Sequence, residues 1–307
     1  MAHLVSTDRF HVLPETSALQ GHVRCLPIKT VWLFGHGAAG ITGVILYPQL
    51  DALLVFLGLT AVTICAGHSV GMHRLLIHRS FETPRLVEYA LVWLGTLVSM
   101  AGPIGMIRTH DLRDWHQRQT ECPPHPAHQA AFWRDAWWQL CCEYRLDHPP
   151  KFVLEDRVKQ DPIYRFIEKT WMWQQLPLAL TLYALGGWAW VLWGCSLRIF
   201  VSLVGHWLVG HVSHRRGHQG WRIAGVPVQG YNIRYISLLT FGENWHCNHH
   251  AFPHSAKLGV ERGQMDPGYY FIRALQKLGL ASQLKTPDSE PERKGLQRVQ
   301  AIVPTRR

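Results

Sequence analysis

Two almost unbroken apolar runs, Val31 to Tyr47 and Leu50 to Gly67, are joined by Pro48-Gln49-Leu50-Asp51, a link without Lys or Arg. A helix needs about 20 apolar residues to cross the hydrocarbon of a bilayer, so the pair reads as a helical hairpin through a membrane. A longer run, Leu176 to Gly210, is sufficient for two more spans with a break at Gly186-Gly187, and it holds no Lys or Arg before Arg198. With 47% hydrophobic and only 17% charged residues, the 307-residue chain has too little polar surface to cover two soluble domains. A mean hydropathy of −0.05 nevertheless requires a substantial portion outside the lipid.

Charge sets the orientation. Lys and Arg gather before the first span (Arg24, Lys29), in the middle segment (Arg74, Arg79, Arg85, Arg108, Arg113, Arg118) and after the last span (Arg215, Arg216, Arg222). The positive-inside rule then places both termini and the middle segment in the cytoplasm. The net charge of +10 is spread along the chain and interrupted by acids, which fits membrane orientation rather than nucleic-acid binding. Residues 1 to 30 show no basic stretch leading into an apolar core, so no secretory signal is expected. The seven cysteines form no C-x-x-C pair and suggest neither a disulfide framework nor a thiolate zinc site. Leu86 to Ile107 is apolar enough to span, but crossing there would separate its flanking histidines. With Gly102-Pro103 near its end, it is expected to lie at the interface or dip in and return.

The expected fold is therefore all-α and polytopic, with four transmembrane helices in two hairpins (about 31-47, 50-67, 174-187 and 188-210) and a cytosolic helical cap. A cytosolic segment (1-29) precedes the spans, residues 71-173 and 211-259 form the cap with the metal site, and 260-307 supply a C-terminal helix and a solvated, flexible tail from Gln283 on.

Twenty histidines, against twenty-one Asp and Glu together, make imidazole the chemistry to follow. His73 and His78 form an H-x4-H directly after the second run; on an α-helix they lie about 140° apart, poorly placed for one ion but able to straddle a pair. His246, His249 and His250 form an H-x2-H-H, and spacing of i, i+3 and i+4 puts three imidazoles on one helical face, suited to a transition metal. Between them lies His110-Asp111-Leu112-Arg113-Asp114-Trp115-His116, and His206 stands near the cytoplasmic end of the last span, where an ionisable residue is a functional candidate. Gly67-His68-Ser69-Val70-Gly71 matches the G-x-S-x-G elbow of serine hydrolases, but a membrane-length apolar segment precedes it where the elbow needs a short strand.

Together these strings resemble the membrane-bound fatty acyl desaturases, particularly the stearoyl-type delta-9 enzymes, from the first span to about Gly259. The resemblance rests on His73/His78, on the segment starting at His110, and on Gly242-Glu243 with His246/His249/His250-Ala251-Phe252-Pro253. It implies four transmembrane helices, a cytosolic cap holding two irons, and a further histidine ligand near the end of the fourth helix, for which His206 occupies the matching place. The family's second box is H-x2-H-H; here its last two members fall on Arg113 and Asp114. Arginine stays protonated and binds no cation, whereas Asp114 lies one turn from His110 and can stand in as a carboxylate ligand or pair with Arg113 or Arg118. His116, His125 and His128 are the other candidate donors.

Taking hydrogen from an unactivated methylene pair demands a metal that activates O2, which suits histidine-bound iron. The implied reaction uses O2 as co-substrate and two electrons to place a cis double bond in a long saturated acyl chain (acyl-CoA, acyl-carrier or acyl-lipid), in a delta-9-like position. An apolar tunnel between the spans would set the position, with Trp93, Trp207 and Trp245 as wall or interfacial residues. The residues after Pro253 are too few and too polar for a fused haem or flavin domain and no P-loop is present, so electrons are expected from a separate ferredoxin, rubredoxin or small cytochrome with its reductase. Arg215, Arg216, Arg222 and Arg234 are candidate docking residues or positive-inside anchors. A di-iron lipid hydroxylase, a metal transporter and the serine hydrolase are the alternatives.

Overall fold

The structure, a computed structural model, describes residues 4–291 and 293–299. Its helices in chain order are α1 (Pro27–Leu46), α2 (Leu50–Ile77), α3 (Arg85–Thr96), α4 (Pro103–Gln117), α5 (Phe132–Cys141), α6 (Asp156–Lys159), α7 (Pro162–Thr170), α8 (Gln175–Ser213), α9 (Ser237–Thr240), α10 (His246–Ala251) and α11 (Pro267–Lys277). Two of them, α2 and α8, are long and apolar enough to cross a membrane, with mean hydropathies of 2.0 and 1.4. Only 22% of the apolar window of α2 is buried within the chain, and Leu50, Leu54 and Leu57 face outward, as a lipid-facing helix would present them.

α8 is interrupted where glycine allows it. Gly186 and Gly187 leave helical geometry (φ −147° and 61°), and the second arm folds back so that Gly194 meets Leu182 of the first. The break expected at Gly186-Gly187 is thus present. So is the one in the run from Leu86 to Ile107: α3 ends at Thr96, Ser99 adopts a positive φ of 68°, and α4 starts at Pro103. The free carbonyl of Leu97 accepts from Arg198 Nη1 (2.6 Å) and Gln175 Nε2 (2.9 Å), while Glu168 Oε2 accepts from the amides of Ile104 (2.9 Å) and Gly105 (3.1 Å) at the start of α4. Both backbone ends of the break therefore have partners. α3 packs against α2 so closely that a Cβ at Gly67 or Gly71 would strike the backbone of Leu94 or Leu91.

The all-α expectation needs correcting, because among the described residues three small antiparallel sheets tie distant segments together. β1 (Phe10–His11) pairs with β4 (Lys151–Phe152), β2 (Gly21–Cys25) with β3 (Cys142–Leu146), and β5 (Trp221–Ile223) with β6 (Leu296–Arg298). The stretch from Gln283 is likewise not a free tail as far as it is described: Lys285 N donates to Ser80 O (2.8 Å), Leu284 packs on the core beside Leu275, and β6 closes onto β5. A few apolar side chains in a polar stretch were enough to dock it. Residues 1–3, 292 and 300–307, which include the end of that tail, lie outside the described residues.

Candidate metal centre

The first surprise is in α2. From Thr63 to Ile77 the helix widens, and His78 N donates to His73 O (3.0 Å), an i→i+5 bond of π type. One wide turn brings residues five apart onto the same face. The two rings, far apart in angle on an α-helix, stand with centroids 4.8 Å apart. His110 of α4 lies 5.2 Å from His73 and 4.8 Å from His78, and His249 of α10 closes the group at 4.6 and 4.7 Å. One ligand atom of each of these four histidines lies within 4.8 Å of all the others. The H-x4-H pair therefore belongs to one group and does not straddle two.

The H-x2-H-H is the segment that divides. His249 joins the group above, while His246 and His250 turn to His214 at the end of α8, with His246 Nε2 3.0 Å from Nε2 of both His214 and His250. The short helix α10 thus bridges two donor groups, four histidines on one side and three on the other. The fourth-helix histidine expected at His206 is outside both; its ring sits at right angles to His68, 4.9 Å away. α8 runs on past the apolar run to Ser213, and the eight residues from 206 to 214 are about 12 Å of helix. His214 stands at that further point.

These groups fit a transition metal. His78 Nε2 and His249 Nδ1 are buried without a partner, and the three close Nε2 atoms have too few protons to satisfy one another. Donors on an ion about 2.1 Å away stand about 3 Å apart, which is the spacing seen. Burial first, and the neighbouring imidazoles second, push His246, His249 and His250 well below the usual histidine range, so they are neutral and keep a lone pair for a cation.

Behind the four-histidine group stands Glu243, which sequence reasoning quoted in its motif but gave no role. Its Oε2 lies 2.7 Å from His73 Nδ1, and its Oε1 accepts from Ser69 Oγ (2.6 Å). Burial pushes this carboxyl upward, but His73, Arg74 and Ser69 together hold it well below the usual range. A carboxylate behind an imidazole fixes the ring's tautomer and orientation. Ser69 is wholly buried inside α2 with its hydroxyl committed to Glu243, so the elbow-like string has neither the turn nor the exposed oxygen of a hydrolase nucleophile. Arg74 lies beside this group and grips Asp266 through both terminal nitrogens (3.2 and 2.9 Å), and also donates to the carbonyls of Ala256 and Phe241. It pins α2 to the loops on either side of α10.

The remaining candidates fall outside both groups. Asp114 is 3.7 Å from Arg118; burial opposes its ionisation, but His110 and Arg118 outweigh that and bring it down to about 2. His116 is buried between Trp115 and Tyr144, and burial lowers it to about 4. His125 stacks on Trp138. His128 and His211 both hold Asp135 through Nδ1 (3.1 and 2.8 Å), and Trp207 Nε1 donates to the same oxygen (2.9 Å). Three donors on one carboxylate oxygen make a closed hydrogen-bond knot, the least metal-like of the histidine clusters. Trp93 and Trp245 likewise donate to Gln174 Oε1 (3.0 Å) and Met265 O (2.6 Å). A cleft of about 480 Å³ opens elsewhere, beside α1, lined by Val31, Trp32, His36, Met172 and Ser196 among others. The candidate docking arginines Arg215, Arg216, Arg222 and Arg234 are all exposed, and Arg215 also donates to the carbonyls of His128 and Ala130.

Comparison with known proteins gives the same direction. The family model "Fatty acid desaturase" matches residues 51–264. The chain is 36% identical over 224 residues to an sn-1 stearoyl-lipid 9-desaturase of Anabaena variabilis, covering 73% of this chain and 80% of that protein. It is 31% identical over 274 residues to an sn-2 palmitoyl-lipid 9-desaturase of Nostoc sp. (strain 36), 86% of this chain and 87% of the other, and 30% identical over 293 residues to an acyl-CoA 5-desaturase of Anemone leveillei, 94% and 83%. The chain belongs to the fatty acid desaturase family, and its activity is that of an oxidoreductase, a fatty acyl desaturase.

Proposed function

We propose that this desaturase works with two iron ions, one held by His73, His78, His110 and His249 and the other by His214, His246 and His250, and places a cis double bond at the delta-9 position of a long saturated acyl chain. The observation that carries the reading is the convergence of seven buried or half-buried imidazoles, drawn from four helices or helix ends, into two adjoining groups. The delta-9 position is supported by the names of two relatives, which act on stearoyl and palmitoyl lipids.

Iron in nitrogen-rich pockets, with O2 and two external electrons, supplies an oxidant able to take two hydrogens from adjacent methylenes. In the balance, O2, two electrons, two protons and the –CH2–CH2– unit give –CH=CH– and two waters. The chain's own work is to hold neutral imidazoles at fixed angles, to orient His73 through Glu243, and to keep water from the pocket by burying it under α3, α4 and the loops around α10. The residues that select the carbon position lie along the acyl path between the membrane helices. The electrons come from a ferredoxin, rubredoxin or small cytochrome, with the exposed Arg216, Arg222 and Arg234 on the face offered to it.

The membrane arrangement belongs to the same reading. α1, the first part of α2 and the two arms of α8 form four spans, while the run from Leu86 to Ile107 is interrupted between Thr96 and Pro103 and does not cross. His73 and His110, on either side of α3, meet in one group, so the chain returns to the face it left. That face is cytoplasmic, with both termini.

Expression of the full chain in a host lacking this activity, followed by mass spectrometry of its lipids, tests the function. New cis-9 monoenoic acyl chains are expected. A hydroxylated chain would transfer the reading to a hydroxylase, and an unchanged lipid profile with the protein present in the membrane would overturn it.

A further inference from the structure

The two histidine groups are unequal, and the helix that should even them does not do so with histidine. Where a third donor is expected one turn after His110, α4 carries Arg113, a cation that binds no metal. The substitute has to be a side chain that reaches the His214, His246 and His250 group, and three histidines near α4 are excluded by their geometry. His116 is sealed between Trp115 and Tyr144, and His125 lies with Nε2 3.3 Å from Trp138 O. His128 has a free, buried Nε2, but its ring stacks on His214 at an angle of 8°. An ion lies in the plane of each imidazole it binds, and nearly parallel stacked planes share no such point.

Gln117 remains. It is the last residue of α4, seven positions after His110 and three after Asp114, so it continues the same helical stripe toward the site. Its side chain is 2% exposed; Nε2 is held by Pro126 O (2.8 Å) and lies 3.3 Å from His214 Nε2, the nitrogen that converges with His246 and His250. Its Oε1 is buried and has no partner at all. A buried amide oxygen without a donor has lost its water and gained nothing in return, and here it belongs to a group whose other end already touches a candidate ligand atom.

We infer that Gln117 is the fourth protein donor of the three-histidine group, giving its Oε1 to the metal while Pro126 O keeps the amide nitrogen in place. The inference rests on the two-iron reading above. Once His214 Nε2 is committed to the ion, it no longer accepts from Gln117, and the amide is free to turn its oxygen to the same centre. Amide oxygen is a harder, neutral donor than imidazole, so the second ion is bound by a mixed set.

The test is an anaerobic Fe(II) titration of the purified full chain, freed of metal, with bound iron counted per chain and the melting temperature recorded. The wild type is expected to bind two ions. Gln117→Met keeps the length and bulk of the side chain but replaces the oxygen by a poor donor, and should weaken the second ion about tenfold or more while the first binds unchanged. Gln117→Glu, which restores an oxygen donor, should bind two ions again. Two ions in Gln117→Met at wild-type affinity, whether or not its melting temperature falls, would leave Gln117 as a tether of the Pro126 loop and overturn the inference alone. A single ion in the wild type would overturn the two-iron reading and the inference with it.

Discussion

The four-histidine and three-histidine groups share one short helix but are supported in different ways. The first collects His73, His78, His110 and His249 from α2, α4 and α10 and has carboxylates at its back: Glu243 behind His73, and Asp111 3.1 Å from His110 Nδ1. The second takes His246 and His250 from α10 and His214 from the end of α8, and behind His214 Nδ1 stands only the backbone carbonyl of Gln229 at 3.2 Å. A carboxylate raises the basicity of the imidazole it touches and holds its tautomer, whereas a carbonyl only orients it. With an arginine where the family's second box has a histidine, the three-histidine group is the weaker of the two. The protein is expected to load in order, first the four-histidine site and then the other.

Replacement of a proposed ligand should have the largest effect. His249→Ala is expected to remove the iron of the four-histidine site and to lower turnover more than about a hundredfold, as loss of a direct donor exceeds the 10–100-fold typical of outer partners. Full turnover with lowered iron would separate the ion from the reaction. Next comes Glu243→Gln, which keeps the hydrogen-bonding shape but removes the charge behind His73. Iron affinity at the four-histidine site should fall roughly 10–100-fold with the three-histidine site untouched, and an equal loss at both sites would erase the asymmetry between them.

Asp114→Asn is expected to matter less. With its carboxylate outside both groups and 3.7 Å from Arg118, the change should cost less than about 1 kcal/mol by thermal melting and leave both irons bound. Loss of iron in that variant would make Asp114 a ligand after all. Ser69→Ala, which takes one hydrogen bond from Glu243, should act on stability more than on desaturation. Stability should fall by about 1.5–3 kcal/mol, while desaturation stays within about tenfold of the wild type. Abolition of activity with iron and fold intact would reopen a direct role for this serine.

Much of this arrangement is legible in the sequence because glycine, proline and histidine act at single positions. Gly186-Gly187 marks the fold-back of α8, Gly102-Pro103 marks the entry into α4, and the spacing of His246, His249 and His250 marks a metal-binding helix. What escapes is whatever depends on a departure from standard helix geometry. An angle of about 140° between His73 and His78 assumes 3.6 residues per turn, and the π turn between them cancels it. His214 escapes because the apolar run, at whose end His206 stands, stops before the helix does. Glu243 and Gln117 carry no signal of their own, since a carboxylate or an amide near histidines gains meaning only from the atom it faces. The pairing of Leu296–Arg298 with Trp221–Ile223 is equally hidden, because three residues of a polar stretch carry too little pattern to announce a strand.

The central claim is that both histidine groups are needed for desaturation, and His246→Ala tests it most directly because it strips the weaker group and leaves the four-histidine group complete. Wild type and variant, expressed in the same host to equal levels in the membrane, would be compared by the fraction of cis-9 monoenoic acyl chains in total lipid. The wild type should produce them and His246→Ala should not, with one iron still bound per chain. Desaturation by His246→Ala at the wild-type level would show that the four-histidine site suffices and would contradict the two-site account.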